Sequence, residues 1–241
     1  MSAPKRFRPS ITNTLLTAIF VPLFAAPGLW QLDRVEQKRE LYREHSQRTE
    51  LPPLTALPRE EAALASLRYR RVALAGAQPD APRILLDNRI VDAVAGYHVL
   101  TPFRHGATLL LVNHGWIAAP ARRDQLPTVE LDDLDSARGM LGPPPASGIR
   151  LGGEAEQAER IGTALRVQRL DTGVLSAALG EPLFPLVLYL EGGAAGALRR
   201  DWPQPGDESD KHVAYAVQWF CFALIAAGLY VGLNRKAEPR P

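Results

Sequence analysis

Two long apolar stretches stand near the two ends of the chain, and a polar stretch separates them. Residues 11–32 and 213–234 contain no charged side chain. A helix over either stretch would be about 33 Å long, which is enough to cross the hydrocarbon core of a bilayer. The pattern therefore predicts one transmembrane helix near each end and a folded domain between them.

Basic residues at the outer ends of these stretches predict the orientation. They are Lys5, Arg6 and Arg8 before the first stretch, and Arg235, Lys236 and Arg240 after the second. Because positive charge favours the cytoplasmic side, both termini are expected there and the long middle segment on the opposite side.

A cleaved signal peptide is the alternative for the first stretch. A cut after Ala26 would put Phe24 and Pro27 at positions that signal peptidase disfavours, so we expect the helix to be retained. The few residues before it are also too short for a mitochondrial targeting sequence. The predicted location is the bacterial cytoplasmic (inner) membrane, as a multi-pass protein with a periplasmic middle domain.

The middle segment begins as a helix and continues mainly as strands. Helix formers with offset charges run from the first stretch to about Arg48, where the prolines of LPPLTALP end the helix. Pro22 and Pro27 predict a kink within the first span. Further elements follow from apolar alternation and turn residues: a short helix at 59–67, strands within 68–78, 82–104 and 107–119, one weak strand in 131–153, a strand at 165–171, a short helix ending at Gly180, and a last strand at 184–192.

The three consecutive strand segments predict an antiparallel meander. Residues 109–112 are apolar on both strand faces, so we expect the third segment to be central. The predicted fold class is α+β, with two transmembrane helices flanking a mostly antiparallel, partly barrel-like extracytoplasmic domain of five or six strands. The predicted segments are a cytoplasmic 1–10, transmembrane 11–32, helical extension 33–50, β-rich domain 51–211, transmembrane 212–234 and cytoplasmic 235–241.

Composition narrows the function classes. The 241 residues carry a formal net charge of only +2, so nothing indicates a nucleic-acid partner. The one cysteine, Cys221, lies in the second apolar stretch, which excludes CxxC redox or copper-transfer chemistry in the middle domain. No phosphate-binding loop, nucleophile elbow or HExxH helix is present, and we expect no enzyme activity.

Two groups in the middle segment have alternative interpretations. His98, His105 and His114 could meet at a metal, although ordinary hydrogen-bonded histidines are the favoured interpretation. The polar triplet at 87–89 is typical of hairpin turns and strand edges.

The most informative side chains lie at the start of the second apolar stretch. His212, Tyr215 and Trp219 are spaced so that they share one helical face, and Ala216, Ala223, Ala226 and Ala227 continue it inward. An imidazole at the bilayer edge needs a partner, and small residues beneath it would leave room for a flat apolar body. A porphyrin fits this description, with His212 as axial ligand of haem iron.

A matching stripe lies at the end of the first stretch. Trp30, Arg34 and Lys38 follow at four-residue steps, and the cations could pair with haem propionates. The alternative is an ordinary interfacial anchor, with His212 a helix-start residue facing headgroups.

Three blocks of the sequence resemble the Surfeit locus protein one family, membrane assembly factors for cytochrome c oxidase. They are GLWQLDRVEQK at 28–38, LLDNRIVDAVAGYHVLTPFRHGATLLLVNHGWIAAP at 85–120 and HVAYAVQWFCFA at 212–223. The family commonly has Arg where this chain has His114, and 121–200 match only loosely. The order of two spans around one domain also agrees.

The resemblance implies a role in the maturation of haem–copper oxidase, in respiratory chain biogenesis. It implies a chaperone that binds haem a as transient cargo, through His212 with Trp219 nearby, and assists its insertion into, or stabilisation in, the catalytic subunit. That subunit, haem a synthase, membrane lipid and a second copy of the chain are the candidate partners. The alternative is a membrane-anchored scaffold that binds oxidase subunits or other assembly factors without carrying haem.

Overall fold

The computed structural model describes most of the chain in two compact units. The described residues are 5–58, 63–122, 125–131, 134–145, 158–192, 198–202 and 209–237. One unit, the helix-pair unit, comprises Met1–Arg43 and Pro203–Pro241, and the other, the sheet unit, comprises Glu44–Trp202.

Two long helices contain the apolar stretches. Helix α1 spans Ile11–Glu50 and continues through Pro22 and Pro27, and the last long helix, α4, spans Ser209–Asn234. Both are long and apolar enough to cross a membrane by length and composition, which supports membrane anchoring. The short strands β1 (Lys5–Phe7) and β10 (Arg235–Ala237) form a separate antiparallel pair beyond the helix ends.

In the part of the sheet unit that the structure describes there are eight strands and two short helices. In chain order they are α2 (Leu64–Leu67), β2 (Arg71–Ala75), β3 (Arg83–Val91), β4 (Val94–His105), β5 (Thr108–Ala118), β6 (Ser136–Gly142), β7 (Glu159–Ile161), β8 (Ala164–Val167), α3 (Thr172–Leu179) and β9 (Leu183–Leu190). Helix α3 begins where Asp171 accepts hydrogen bonds from the backbone of Gly173 and Val174, and it ends at the left-handed Gly180.

The strands form one mixed sheet in the order β2-β6-β9-β5-β4-β3-β8-β7. The predicted meander is confirmed for β3, β4 and β5, whereas β2 pairs with β6 and does not extend it. The β5–β9 and β3–β8 pairs are parallel. The sheet is not closed, so the partly barrel-like expectation was wrong, and eight strands replace the expected five or six.

The core forms on both faces of the sheet. Leu110 and Val112 of β5 pack in one buried cluster and Leu111 packs in another, as strand alternation requires. The predicted central position of this strand is therefore confirmed. A third cluster surrounds Tyr97 and Val99 of β4.

The polar triplet of β3 is not the hairpin turn. The pairing of β3 with β4 shifts register between Leu86 and Arg89, so the triplet lies in a bulge, where Asn88 has a φ of 59°. The turn itself is made by Asp92 and Ala93, whose φ values of 49° and 62° suit a tight hairpin.

Two other predicted elements differ from the structure. The helix expected at 59–67 is present at Leu64–Leu67, and residues 59–62 lie outside the described part of the chain. The weak strand expected in 131–153 is β6, which is shorter than that segment, and residues 146–153 lie outside the described part of the chain.

Candidate functional site

Within the helix-pair unit, α1 and α4 run antiparallel, and polar side chains join them near the chain termini. The fully buried Asn234 accepts a hydrogen bond from the Ser10 backbone N–H through Oδ1 at 2.8 Å. Its Nδ2 donates to the Tyr230 carbonyl oxygen at 2.7 Å. Because β1 pairs with β10 just beyond, a membrane crossed by both helices would have both termini on the same side.

Aromatic rings fill the middle of the helix pair. Phe24 of α1 stacks on Trp219, with ring centroids 6.3 Å apart, and also contacts Phe222 at 5.8 Å. Gly28 provides space for another ring, since a Cβ there would lie 2.9 Å from the Phe220 side chain. These contacts hold the two helices together by dispersion and shape.

At the other end of the pair, His212 contacts Gln31. His212 lies in the first turn of α4, and its Nδ1 is 2.7 Å from Gln31 Oε1. An amide oxygen accepts hydrogen bonds, so Nδ1 is the donor of this contact, and in the neutral ring Nε2 carries the lone pair. Among the described residues, no hydrogen bond engages Nε2. This tautomer is the one that a metal-ligating histidine adopts when its other nitrogen donates to an oxygen.

The remaining predicted site residues lie around this contact in three different environments. Tyr215 is 54% exposed, and Trp219 is half-buried against Phe24. Trp30 is 52% exposed, and the Arg34 guanidinium lies 5.4 Å from its ring centroid. The structure thus joins His212 to Gln31, Trp219 to Phe24, and Trp30 to Arg34.

The expected open space beneath His212 is not present at two positions. Ala216 and Ala223 are only 1% and 8% exposed, so protein already fills the space beside them. The prediction that these small residues leave room for a flat ligand was wrong there, because they lie on the face of α4 that packs in the helix pair. A ligand at His212 would have to lie on the flank that carries Tyr215.

Gln31 ends the first apolar stretch together with Trp30, and it is the residue of this site to which sequence analysis assigned no role. It is 9% exposed, next to Trp30 and three residues before Arg34. An amide buried at the end of an apolar helix is costly without a partner, and this cost was the available signal. The opposite helix supplies the imidazole that the amide needs.

The donor set fits a haem iron. An imidazole with a free Nε2 is a standard axial ligand, and the amide on Nδ1 would fix its orientation. Arg34 and Lys38 supply positive charge one and two turns beyond Trp30 on α1. The site could therefore bind an amphiphilic, carboxylate-bearing macrocycle.

The three histidines of the predicted meander, His98, His105 and His114, each have a hydrogen-bond partner. Asn113 Nδ2 donates to His98 Nδ1 at 2.9 Å, His114 Nε2 is 2.7 Å from Thr101 Oγ1, and His105 donates to a backbone oxygen. His98 and His105 are seven residues apart on β4, about 23 Å along the strand, so they do not meet. Among the described residues, no three metal-ligating side chains form a group that could hold an ion.

Burial changes the acid–base behaviour of two of them. It lowers the pKa of His98 to about 4, an effect that the hydrogen bond from Asn113 opposes and the charge of Arg89 reinforces. It also lowers the pKa of His114 to about 4, and the charges of Arg200 and Arg83 add to the effect. Both side chains are therefore neutral at pH 7.

Comparison with known proteins covers both helices of this site. The model of the SURF1 family matches residues 18–224, a span that includes Trp30, Gln31, His212 and Trp219. A SURF1-like protein from Monosiga brevicollis is 26% identical over 233 residues, covering 88% of this chain and 84% of the relative.

Proposed function

The chain belongs to the SURF1 family, and from this premise we propose that it binds haem a as cargo during assembly of a haem–copper cytochrome c oxidase. The family is known for assembly factors and not for catalysis, and membership is consistent with a role in oxidase assembly. In this proposal His212 ligates the haem iron, and the haem passes to, or is stabilised in, the catalytic subunit of the oxidase.

The hydrogen bond between His212 and Gln31 carries this proposal. It joins the two helices, and it holds the imidazole in the tautomer that leaves Nε2 available for iron. A single histidine ligand also suits cargo, because fewer ligand bonds must break when the haem leaves. Bound haem would supply its redox chemistry only after transfer to the oxidase.

Other residues of the same flank would orient the cargo. The exposed cation of Arg34, with Lys38 one turn further along α1, would pair with the propionates. Tyr215 and Trp219 would cover the apolar macrocycle, with Trp219 supported by Phe24. Trp30, stacked under Arg34, would border the propionate side.

The proposed setting is the bacterial cytoplasmic membrane. The basic residues near both termini favour the cytoplasmic side, and the sheet unit would then be periplasmic. Membrane lipid, the oxidase catalytic subunit and haem a synthase are the proposed partners.

The test is haem a content after purification of the full chain from cells that make haem a. Wild type should show a haem absorption band, and His212→Ala should lose most of it because the axial ligand is gone. His105→Ala is the matched control, since it removes a histidine of the sheet unit and should keep the band. Equal haem in wild type and His212→Ala would contradict ligation by His212.

A haem-free scaffold is the second candidate, and the tip of the β3–β4 hairpin favours it. Ile90 is 72% exposed and Val94 is 48% exposed, and because Ile90 pairs with Ala95 while Val94 pairs with Val91, these two β-branched side chains expose apolar surface on opposite faces of the tip. Such exposed apolar surface is typical of a protein contact. Ile90→Ser/Val94→Ser in the full chain should then lose copurified oxidase subunits, and unchanged copurification would contradict the scaffold role of this hairpin.

A further inference from the structure

An apolar groove of about 370 Å³ lies between α1 and α4 inside the helix-pair unit. Leu16 and Phe20 line it from α1, and Ala226 and Leu229 line it from α4. Phe24, which supports Trp219, borders it, whereas the five side chains predicted to contact haem do not. The groove is thus a separate feature of the same two helices.

The polar groups at the terminal end of the groove are engaged by the protein itself. Tyr230 OH is 3.1 Å from Thr14 Oγ1, and Asn13 Nδ2 donates to Asn234 Oδ1 at 3.4 Å. A ligand in the groove therefore finds apolar walls and a closed polar end. This arrangement suits a hydrocarbon chain of limited length.

The groove opens on the flank of the helix pair that carries the exposed side chains of the haem site. On α4, Tyr215 is followed by Phe222, Ala226 and Leu229 at steps of seven, four and three residues, which is one helical stripe. On α1, Arg34 lies fourteen residues after Phe20, which again keeps one stripe. Arg34 and His212 thus lie at one end of this flank, and the apolar groove lies at the other end.

The dimensions match an isoprenoid chain. Phe24 and Asn13 border the two ends of the groove on α1, and eleven residues of helix cover about 16 Å. A chain of three isoprene units has about twelve backbone bonds, and at about 1.25 Å per extended bond it reaches about 15 Å. The flank from His212 to Phe222 covers about 15 Å, of which the half of the macrocycle on the groove side of the iron would cover the first part, so the tail would cross the remainder before it enters the groove.

We propose that the groove holds the hydroxyethylfarnesyl tail of haem a, while His212 holds the iron and Arg34 the propionates. The inference rests on the proposed function, since it needs haem at His212. An apolar tail gains little by leaving lipid for an apolar groove, so the benefit comes from close packing. The groove would therefore select haem a over haem b, which lacks the tail.

The test compares the affinities of haem a and haem b for the purified full chain, by visible titration in one detergent. Wild type should bind haem a about tenfold more tightly than haem b. Ala226→Phe fills the groove and should abolish this preference while leaving haem b affinity unchanged. Leu224→Phe is the matched control, because Leu224 is 71% exposed and does not line the groove, and it should keep the preference.

The outcomes separate the two proposals. If wild type binds neither haem, the proposed function fails. If wild type binds both haems equally, or Ala226→Phe keeps the preference, the tail site is overturned and haem binding stands. Loss of copurified phospholipid from Ala226→Phe with an unchanged preference would identify an acyl chain as occupant and would also overturn the tail site. If Ala226→Phe binds neither haem, Ala226→Val is judged by the same ratio, with a smaller preference supporting the tail site and an unchanged one overturning it.

Discussion

Two histidines of the sheet unit, His98 and His114, differ in their surroundings from His212 of the helix-pair unit. His114 is buried and His98 is half-buried, and each has a ring nitrogen hydrogen-bonded to a side chain of the neighbouring strand. His98 also stacks on Trp202, with ring centroids 5.7 Å apart. His212 is half-buried at a helix start, and its Nδ1 donates a hydrogen bond to Gln31. The difference teaches that burial in the sheet keeps His98 and His114 neutral, whereas the contact with Gln31 orients His212, and the proposed haem site would use the other nitrogen of His212.

The largest expected effect is the destabilisation of the sheet unit by acid. Between pH 6.5 and 4, His98 and His114 bind protons in the unfolded chain but not in the folded one. Their contribution to the free energy of unfolding is therefore complete above pH 6.5 and is lost as the pH falls toward 4. The loss should be on the order of 2–3 kcal/mol per histidine. Urea unfolding of the full chain in detergent, followed by near-ultraviolet circular dichroism at pH 7 and pH 5, measures it.

His114→Gln is the control for that experiment. Glutamine keeps a polar partner for Thr101 but cannot take up a proton in this pH range, so the variant should lose part of the pH dependence, while His98 and His45, whose pKa burial also lowers, keep the rest. A pH dependence equal to that of wild type would mean that His114 is not one of the groups responsible.

On the helix side, Gln31→Leu should separate orientation from ligation. Removal of the amide leaves His212 in place but frees its tautomer, and loss of such a partner typically lowers metal affinity 10- to 100-fold. Gln31→Glu keeps an oxygen acceptor and should retain most of the affinity. Haem a titration of the three proteins checks this, and equal affinities for wild type and Gln31→Leu would assign Gln31 to helix packing alone.

Asn234→Leu tests the opposite end of the helix pair, where the buried amide has a structural role. The substitution leaves the Ser10 N–H without its side-chain acceptor and should lower the stability of the helix pair by about 1–2 kcal/mol. Haem affinity should change little, because His212 lies six helical turns away on α4. Thermal unfolding in detergent and haem titration measure the two effects. Loss of haem affinity without a loss of stability would contradict a purely structural role of Asn234.

The smallest expected effect is that of Arg34→Gln. Arg34 is exposed, so its pairing with propionates should be screened and contribute less than about 1 kcal/mol. Haem a affinity should fall a few-fold at low salt and less at high salt. A salt-independent fall would indicate that the guanidinium acts through its contact with Trp30 instead.

Short-range sequence patterns correctly predicted single helices and strands, but they did not predict how distant strands pair. Charge-free stretches identified α1 and α4, and alternation on both faces identified β5 as central. The parallel pairing of β5 with β9 joins strands far apart in sequence, which no local periodicity specifies. The sheet was expected to be mostly antiparallel and partly barrel-like. Five of its seven described strand pairs are antiparallel, but it is open and includes two parallel pairs.

The candidate site shows the same limit. Spacing identified His212, Tyr215 and Trp219, and a stripe of small residues fits either a flat ligand or a second helix equally well. The structure assigns Ala216 and Ala223 to the helix contact. Gln31 could be found only by asking which group satisfies each buried amide, because its partner is 181 residues away.

The measurement that tests ligation by His212 most directly is the visible spectrum of His212→Gly with haem a, recorded with and without added imidazole. The variant alone should lack the histidine-ligated spectrum, and free imidazole should restore it by occupying the position of the missing side chain. A wild-type spectrum in His212→Gly without imidazole would contradict the account. So would a lost spectrum that imidazole fails to restore in protein that still folds.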